Sequence, residues 1–183
     1  MSGWMVTMSA LGMFTALGTL ARVGCAQEAH SPYAHQGATE LKTLSQQEVD
    51  DLRNGAGMGL ARPAEMNGYP GPRHVMELAD SLALSEEQRR AVEEVFDAMQ
   101  GRARELGSRI LDAEKALDAA FAGGQQTEAA LATAVAEIAR LQGELRTVHL
   151  QAHLATRALL TEHQIHEYDR LRGYGSGHDH ADG

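Results

Sequence analysis

Two runs of more than 30 residues, separated by little more than Gly123-Gly124, repeat apolar side chains at steps of three and four. The first carries Val92, Val95, Met99, Ala103, Leu106, Ile110, Ala113, Leu117 and Ala120. The second carries Leu131, Val135, Ile138, Leu141, Leu145, Val148, Ala152, Ala155 and Leu159. That period is one face of an α-helix, and at ~1.5 Å per residue each run is roughly 50 Å long. A Gly-Gly turn leaves too little chain for anything but an antiparallel return. The fold class is therefore all-α: a long antiparallel helical hairpin with short flanking helices. With only 4% aromatic residues, the core must be Leu, Val, Ile, Met and Ala packed helix on helix. Two helices cannot cover both stripes by themselves, and an elongated hairpin with an exposed apolar face buries it by pairing. An intertwined homodimer is expected.

A short motif brackets this hairpin. Leu84-Ser85-Glu86-Glu87-Gln88 precedes the first run and Leu160-Thr161-Glu162-His163-Gln164 follows the second. In each, a Ser or Thr hydroxyl at the N-cap can accept from the backbone N–H three residues on, and the Gln can reach back to the cap's own N–H. Leu160 can also staple onto Ile165, whereas the matching partner of Leu84 is Arg89. Thr127 caps the second long helix, and the segment opened by Thr161 ends near Leu171-Arg172-Gly173.

Upstream, Ser45-Gln46-Gln47-Glu48 is a further capping box, opening a short helix that stops near Asn54-Gly55. Residues 55–72 are Gly- and Pro-rich and read as a loop. A short helix follows over about 74–82, with Val75, Leu78 and Leu82 on one side. The expected organisation is a signal peptide at 1–26 and a polar arm with one short helix and the Gly/Pro loop at 27–72. The hairpin domain at 73–174 and a His-containing flexible tail at 175–183 complete it. Residues 27–43 and the tail are expected to be disordered. Gly101, Gly107 and Gly143 interrupt the long helices, each costing about 1 kcal/mol relative to Ala. Close approach of a neighbouring helix, curvature and tolerated drift all remain open for them.

The first 21 residues carry no charged side chain, and Gly24 and Ala26 sit where a signal peptidase reads small residues. Export in soluble form with cleavage after Ala26 is expected. The n-region lacks Lys and Arg, so the true start codon is open. Cleavage before Cys25, the single cysteine, would instead leave a lipid-anchored protein, and an uncleaved N-terminal anchor is a third route. The net charge of −9 excludes nucleic acid as a partner, since binding phosphates needs a basic surface.

No enzymatic grouping is apparent: there is no phosphate loop, and no Ser/His/Asp or Cys/His set. The protein is expected to be a non-enzyme. The histidines carry the candidate chemistry. His149 and His153 are four apart on the second long helix, on one side and within reach of one ion. They flank the apolar stripe, so surface or interface histidines are the bland alternative. His163 and His166 lie just beyond. In the tail, His178 and His180 form a His-x-His able to bind Zn²⁺, Cu²⁺ or Ni²⁺ weakly. No cofactor is required, and those ions are the candidates. Fourteen of the sixteen basic residues are Arg, a side chain suited to carboxylates and aromatic faces. Pairing with neighbouring acids, such as Glu105 with Arg109, is the alternative use.

The twin Leu-[Ser/Thr]-x-x-Gln pair resembles the LTxxQ repeat of the Spy/CpxP family of bacterial periplasmic helical proteins, which includes metal-responsive ZraP- and CnrX-type members. The likeness covers about residues 68–174. It implies an exported envelope-stress protein acting as an ATP-independent chaperone or as an adaptor. Its partners would be unfolded or envelope proteins, or a membrane-bound sensor protein. A heavy-metal-binding sensor or buffer is the alternative it implies. The chaperone branch holds clients on a cradle with apolar and basic residues, which makes Arg89, Arg102, Arg109 and Arg146 candidate client contacts. Residues 85–172 hold 15 acids against 11 bases, a departure from that basic cradle. The nickel/cobalt branch takes ligands from a His-x-x-x-His before the first motif and a His-x-x-x-Met before the second. These fall on Glu77 and Ser81, and on Ala152 and Thr156 ahead of Arg157; none of the four is retained. The zinc-binding branch is similar in its His-bearing tail, at His178 and His180.

Overall fold

Four of the helices described below begin at a Ser or Thr hydroxyl that caps them, and the two shortest begin at a proline-bearing first turn instead. A computed structural model describes residues 41–124 and 126–174, and among them the structure is all-helical. It comprises α1 (Gln46–Asn54), α2 (Arg62–Glu65), α3 (Pro72–Glu77), α4 (Glu86–Ala122), α5 (Glu128–Leu159) and α6 (Glu162–Arg172). The signal peptide with Cys25, the arm up to residue 40, and the tail with His178 and His180 lie outside the described residues. Ser45, Ser85 and Thr161 each close a full capping box, and Thr127 accepts from the Ala130 N–H. Each such cap contributes about 1 kcal/mol by satisfying end N–H groups that the helix leaves unpaired. α1 ends at Gly55, in the left-handed conformation that glycine adopts without a Cβ penalty.

α4 and α5 form the expected hairpin, turning at Gly123 and the left-handed Gly124. One core cluster joins Ala103, Leu106, Ile110, Leu141 and Leu145 of the hairpin to Leu41, Val49 and Leu52. So α1 lies across α4, and the segment before it belongs to the core. Only the last three residues of the expected arm, 41–43, are among those described, and they join the core: Leu41 is buried, and Lys42 pairs with Asp118 at 3.3 Å. Gly107 explains the approach. A Cβ there would stand 2.0 Å from the Leu52 carbonyl oxygen, so only glycine admits α1. Gly101 and Gly143 face open space.

A second cluster, at the base of the hairpin, packs Val75, Ala79, Leu82, Leu84 and Val92 against Leu160, Ile165 and Tyr168. Here the two copies of the motif meet. Gln88 Nε2 donates to Gln164 Oε1 (2.9 Å), and Gln164 Nε2 donates back to Gln88 Oε1 (3.1 Å). Gln88 Nε2 also donates to the Leu159 carbonyl, and Gln164 Nε2 to that of Leu82. Each glutamine thus caps its own helix and ties the opposite motif down. Where Leu160 and Ile165 share the apolar cluster, Arg89 instead donates from Nε to the Leu84 carbonyl and pairs with Asp80.

Two shorter elements differ from the expectation. The 55–72 segment is not all loop, since α2 forms within it. The next helix runs Pro72–Glu77 and gives way to turns before residue 82, as Pro72 pre-sets its first turn. The described residues fall within one compact unit, and none of their helices is long and apolar enough to cross a membrane.

Candidate functional site

His149 and His153 flank the apolar clusters, as expected, but they are buried there, at 3% and 8% exposure, rather than on the surface. Val135 and Ala155, expected in the stripe, face solvent. The reason is long-range. The segment carrying α2 and the turn into α3 packs against the C-terminal half of α5, converting a polar flank into the wall of a cleft. That cleft has a volume of about 810 Å³, and its walls include Glu65, His74, His149, His153 and Met99.

Each wall residue has a local cause. Glu65 is the last residue of α2 and is only 8% exposed. Its Oε1 accepts from the Tyr168 hydroxyl in a short contact and from His74 Nδ1 at 3.1 Å, with Arg172 Nε 3.7 Å away. The carboxylate is thereby compensated from three sides, as a buried charge requires. Tyr168, buried and bonded to that carboxylate, has its phenol pushed well above the usual tyrosine range. Tyr69 is pinned by the Arg157 guanidinium, 5.2 Å from its ring centre. The Tyr69 carbonyl then accepts from His153 Nδ1 at 2.7 Å.

That last contact fixes the chemistry of His153. A carbonyl only accepts, so Nδ1 donates in that hydrogen bond, which leaves Nε2 as the ring nitrogen available to a ligand. Fastening one imidazole nitrogen to a carbonyl is how metal-binding histidines are oriented. Beside it, Gly71 leaves the ring room: a Cβ there would lie 2.8 Å from His153 Cε1 and 3.0 Å from Nε2. One turn away, His149 Nε2 is buried and has no hydrogen-bond partner among the described residues. Burial first, and then the charge of His153, hold His149 below the usual histidine range. Both rings line the same cleft. Their fit to a metal is partial, however. Among the described residues no three His, Cys, Asp or Glu side chains gather as a metal cluster.

The pattern of the heavy-metal resistance family matches residues 52–166, which span α2 to α5, the start of α6 and the cleft walls Glu65, His74, Met99, His149 and His153. The chain belongs to that family. No curated protein and no solved structure matches it. Membership fits the metal-responsive relatives that the sequence resembles, whereas the narrower Spy/CpxP assignment is not established by it.

The remaining expected positions fall elsewhere. Glu77 is exposed and pairs with Arg73, Ser81 is exposed, and the buried Thr156 hydroxyl donates to the Ala152 carbonyl. None of those positions of the nickel/cobalt branch therefore supplies a ligand here. His163 and His166 are exposed on α6, away from the cleft walls. Among the Arg candidates, Arg89 pairs with Asp80 (2.7 Å) and Arg102 with Glu105 (2.6 Å). Arg109 reaches across the hairpin to Glu137 (3.8 Å) and also acts on Glu105, whose carboxyl Arg102 chiefly holds below the usual range, while Arg146 borders a shallow recess with Met58 and Arg62. Sequence reasoning missed Glu65, Tyr69, Gly71 and His74. The one available signal was an acidic residue and a histidine in an otherwise Gly/Pro-rich stretch.

Proposed function

We propose that this protein binds a heavy-metal ion through His149 and His153, as a non-enzymatic sensor or buffer of the periplasm. One observation carries the reading. Two buried imidazoles on one helix face share a solvent-accessible cleft, one with Nε2 left available by the Nδ1 bond to the Tyr69 carbonyl and the other with Nε2 unpartnered. Leaving such a nitrogen unpaired costs roughly 1–3 kcal/mol, a cost that a bound ion would offset. Family membership supports the same conclusion. Remaining ligands come from outside the two rings. The tail histidines His178 and His180 follow Tyr174, which itself borders the cleft, and a second copy in a homodimer is the other source. The uncharged N-terminal run supports export.

A client-holding chaperone is less well supported, because Arg89, Arg102 and Arg109 are engaged with acids of the same chain. The test is calorimetry with Zn²⁺, Cu²⁺ and Ni²⁺ on the protein and on its His149→Ala/His153→Ala variant. Micromolar or tighter binding that disappears in the variant is expected. Absence of heat in the wild type, or equal heat in the variant, refutes the proposal.

A further inference from the structure

We propose that the cleft selects a soft monovalent cation, Cu(I) or its analogue Ag(I), held by His149, His153 and the thioether of Met99. The inference rests on the metal-binding reading above and names its ligand. Its starting point is the shortage of hard ligands. A divalent ion such as Zn²⁺ wants four nitrogen, sulfur or oxygen donors, and among the described residues the His, Cys, Asp and Glu side chains do not gather into such a set. Of the Glu65 carboxylate, Oε1 is taken up by Tyr168, His74 and Arg172, and Oε2 lies 3.6 Å from His153 Nδ1, the ring nitrogen bound to the Tyr69 carbonyl rather than the Nε2 offered to the ion.

What the cleft does offer is sulfur. Of the four methionines among the described residues, Met58, Met66 and Met99 border it. Met58 and Met66 are exposed, at the rim, whereas Met99 is half-buried on α4, the helix packed against the one carrying both histidines. Thioethers are soft donors and select Cu(I) over Zn²⁺ and Ni²⁺.

Charge points the same way. Two imidazoles and a thioether supply no negative charge to balance the ion. The Born cost of desolvation scales with the square of the charge, so a monovalent ion bears about a quarter of a divalent ion's penalty in such a site. A d¹⁰ monovalent ion is also content with two or three ligands. The incomplete set is therefore incomplete only for divalent ions.

The full chain is titrated anaerobically with Cu(I) against the chromophoric chelator bicinchoninate, and with Zn²⁺ against a zinc indicator. One Cu(I) per chain is expected, at least 100-fold tighter than Zn²⁺. The volume-conserving Met99→Leu should weaken Cu(I) tenfold or more and leave Zn²⁺ within twofold. Copper K-edge absorption of the loaded wild type, which needs no variant, should show a sulfur neighbour beside two nitrogens. Zn²⁺ bound as tightly as Cu(I), an unchanged Cu(I) affinity in Met99→Leu, or an all-nitrogen shell overturns this inference. Each of these would leave the histidine-pair reading standing. Binding of no ion at all overturns both.

Discussion

Replacing His149 by leucine should make the metal-free protein more stable. The ring is 3% exposed, and its Nε2 has no partner among the described residues. Removing that unpaired nitrogen recovers roughly 1–3 kcal/mol. Leucine is the better helix former by a few tenths of a kcal/mol, while imperfect filling of the site by a differently shaped side chain takes some of this back. The net expectation is a gain of about 1–2 kcal/mol, or a rise in Tm of roughly 3–6 °C for a chain of this size. The same substitution should abolish stabilisation by metal. Wild type at an ion concentration 100 times Kd gains about 2.7 kcal/mol, and the variant gains none. Urea unfolding followed by far-UV circular dichroism, with chelator and then with ion, measures both halves. A less stable metal-free variant would mean that the imidazole is a structural hydrogen-bonding group. Stabilisation by metal that survives the substitution would mean the ion binds elsewhere. Either result refutes the reasoning.

Three other outcomes follow from the packing and the charges. Gly107→Ala forces α1 off the Leu52 contact and should cost about 2–4 kcal/mol, whereas Gly101→Ala and Gly143→Ala, in open space, should each gain about 0.5–1 kcal/mol; equal urea midpoints for the three would contradict this. In a double-mutant cycle on Gln88→Ala and Gln164→Ala, the reciprocal amide pair should appear as a coupling of roughly 1–2 kcal/mol, and strict additivity would rule it out. Since burial and His153 depress the His149 pKa, the folded state binds fewer protons there than the unfolded chain below about pH 6.5. Stability is then full above that value and lost as pH falls toward the folded-state pKa, by up to about 1.4 kcal/mol per pH unit. His149→Leu should flatten the profile between pH 7 and 5, and an unchanged slope would argue that the shift is absent.

The hairpin and its caps were legible in the sequence because they depend on local signals. Thr127, Ser85 and Thr161 start helices wherever their neighbours permit, and the apolar steps from Val92 to Leu159 have only one regular solution. The cleft was less legible, because its decisive features depend on partners far along the chain. His149 looks like a surface flank residue until the segment around Tyr69 and Gly71 closes over it. Glu65 looks like one acid in a loop until Tyr168 and Arg172, more than 100 residues later, converge on it. The glutamines of the twin motif read as two separate caps, although each also holds the other. Gly107 lay in between: the interruption was visible, but only the Leu52 carbonyl shows which of three helical glycines is required.

The central claim is that the ion sits between His149 and His153. The most direct measurement is an anomalous difference map from crystals of the protein grown with one equivalent of whichever ion binds tightest. The account predicts a single strong peak about 2.0–2.1 Å from the Nε2 atoms of both histidines. A peak confined to exposed histidines such as His163 and His166, with His149 Nε2 still unpaired, would contradict it.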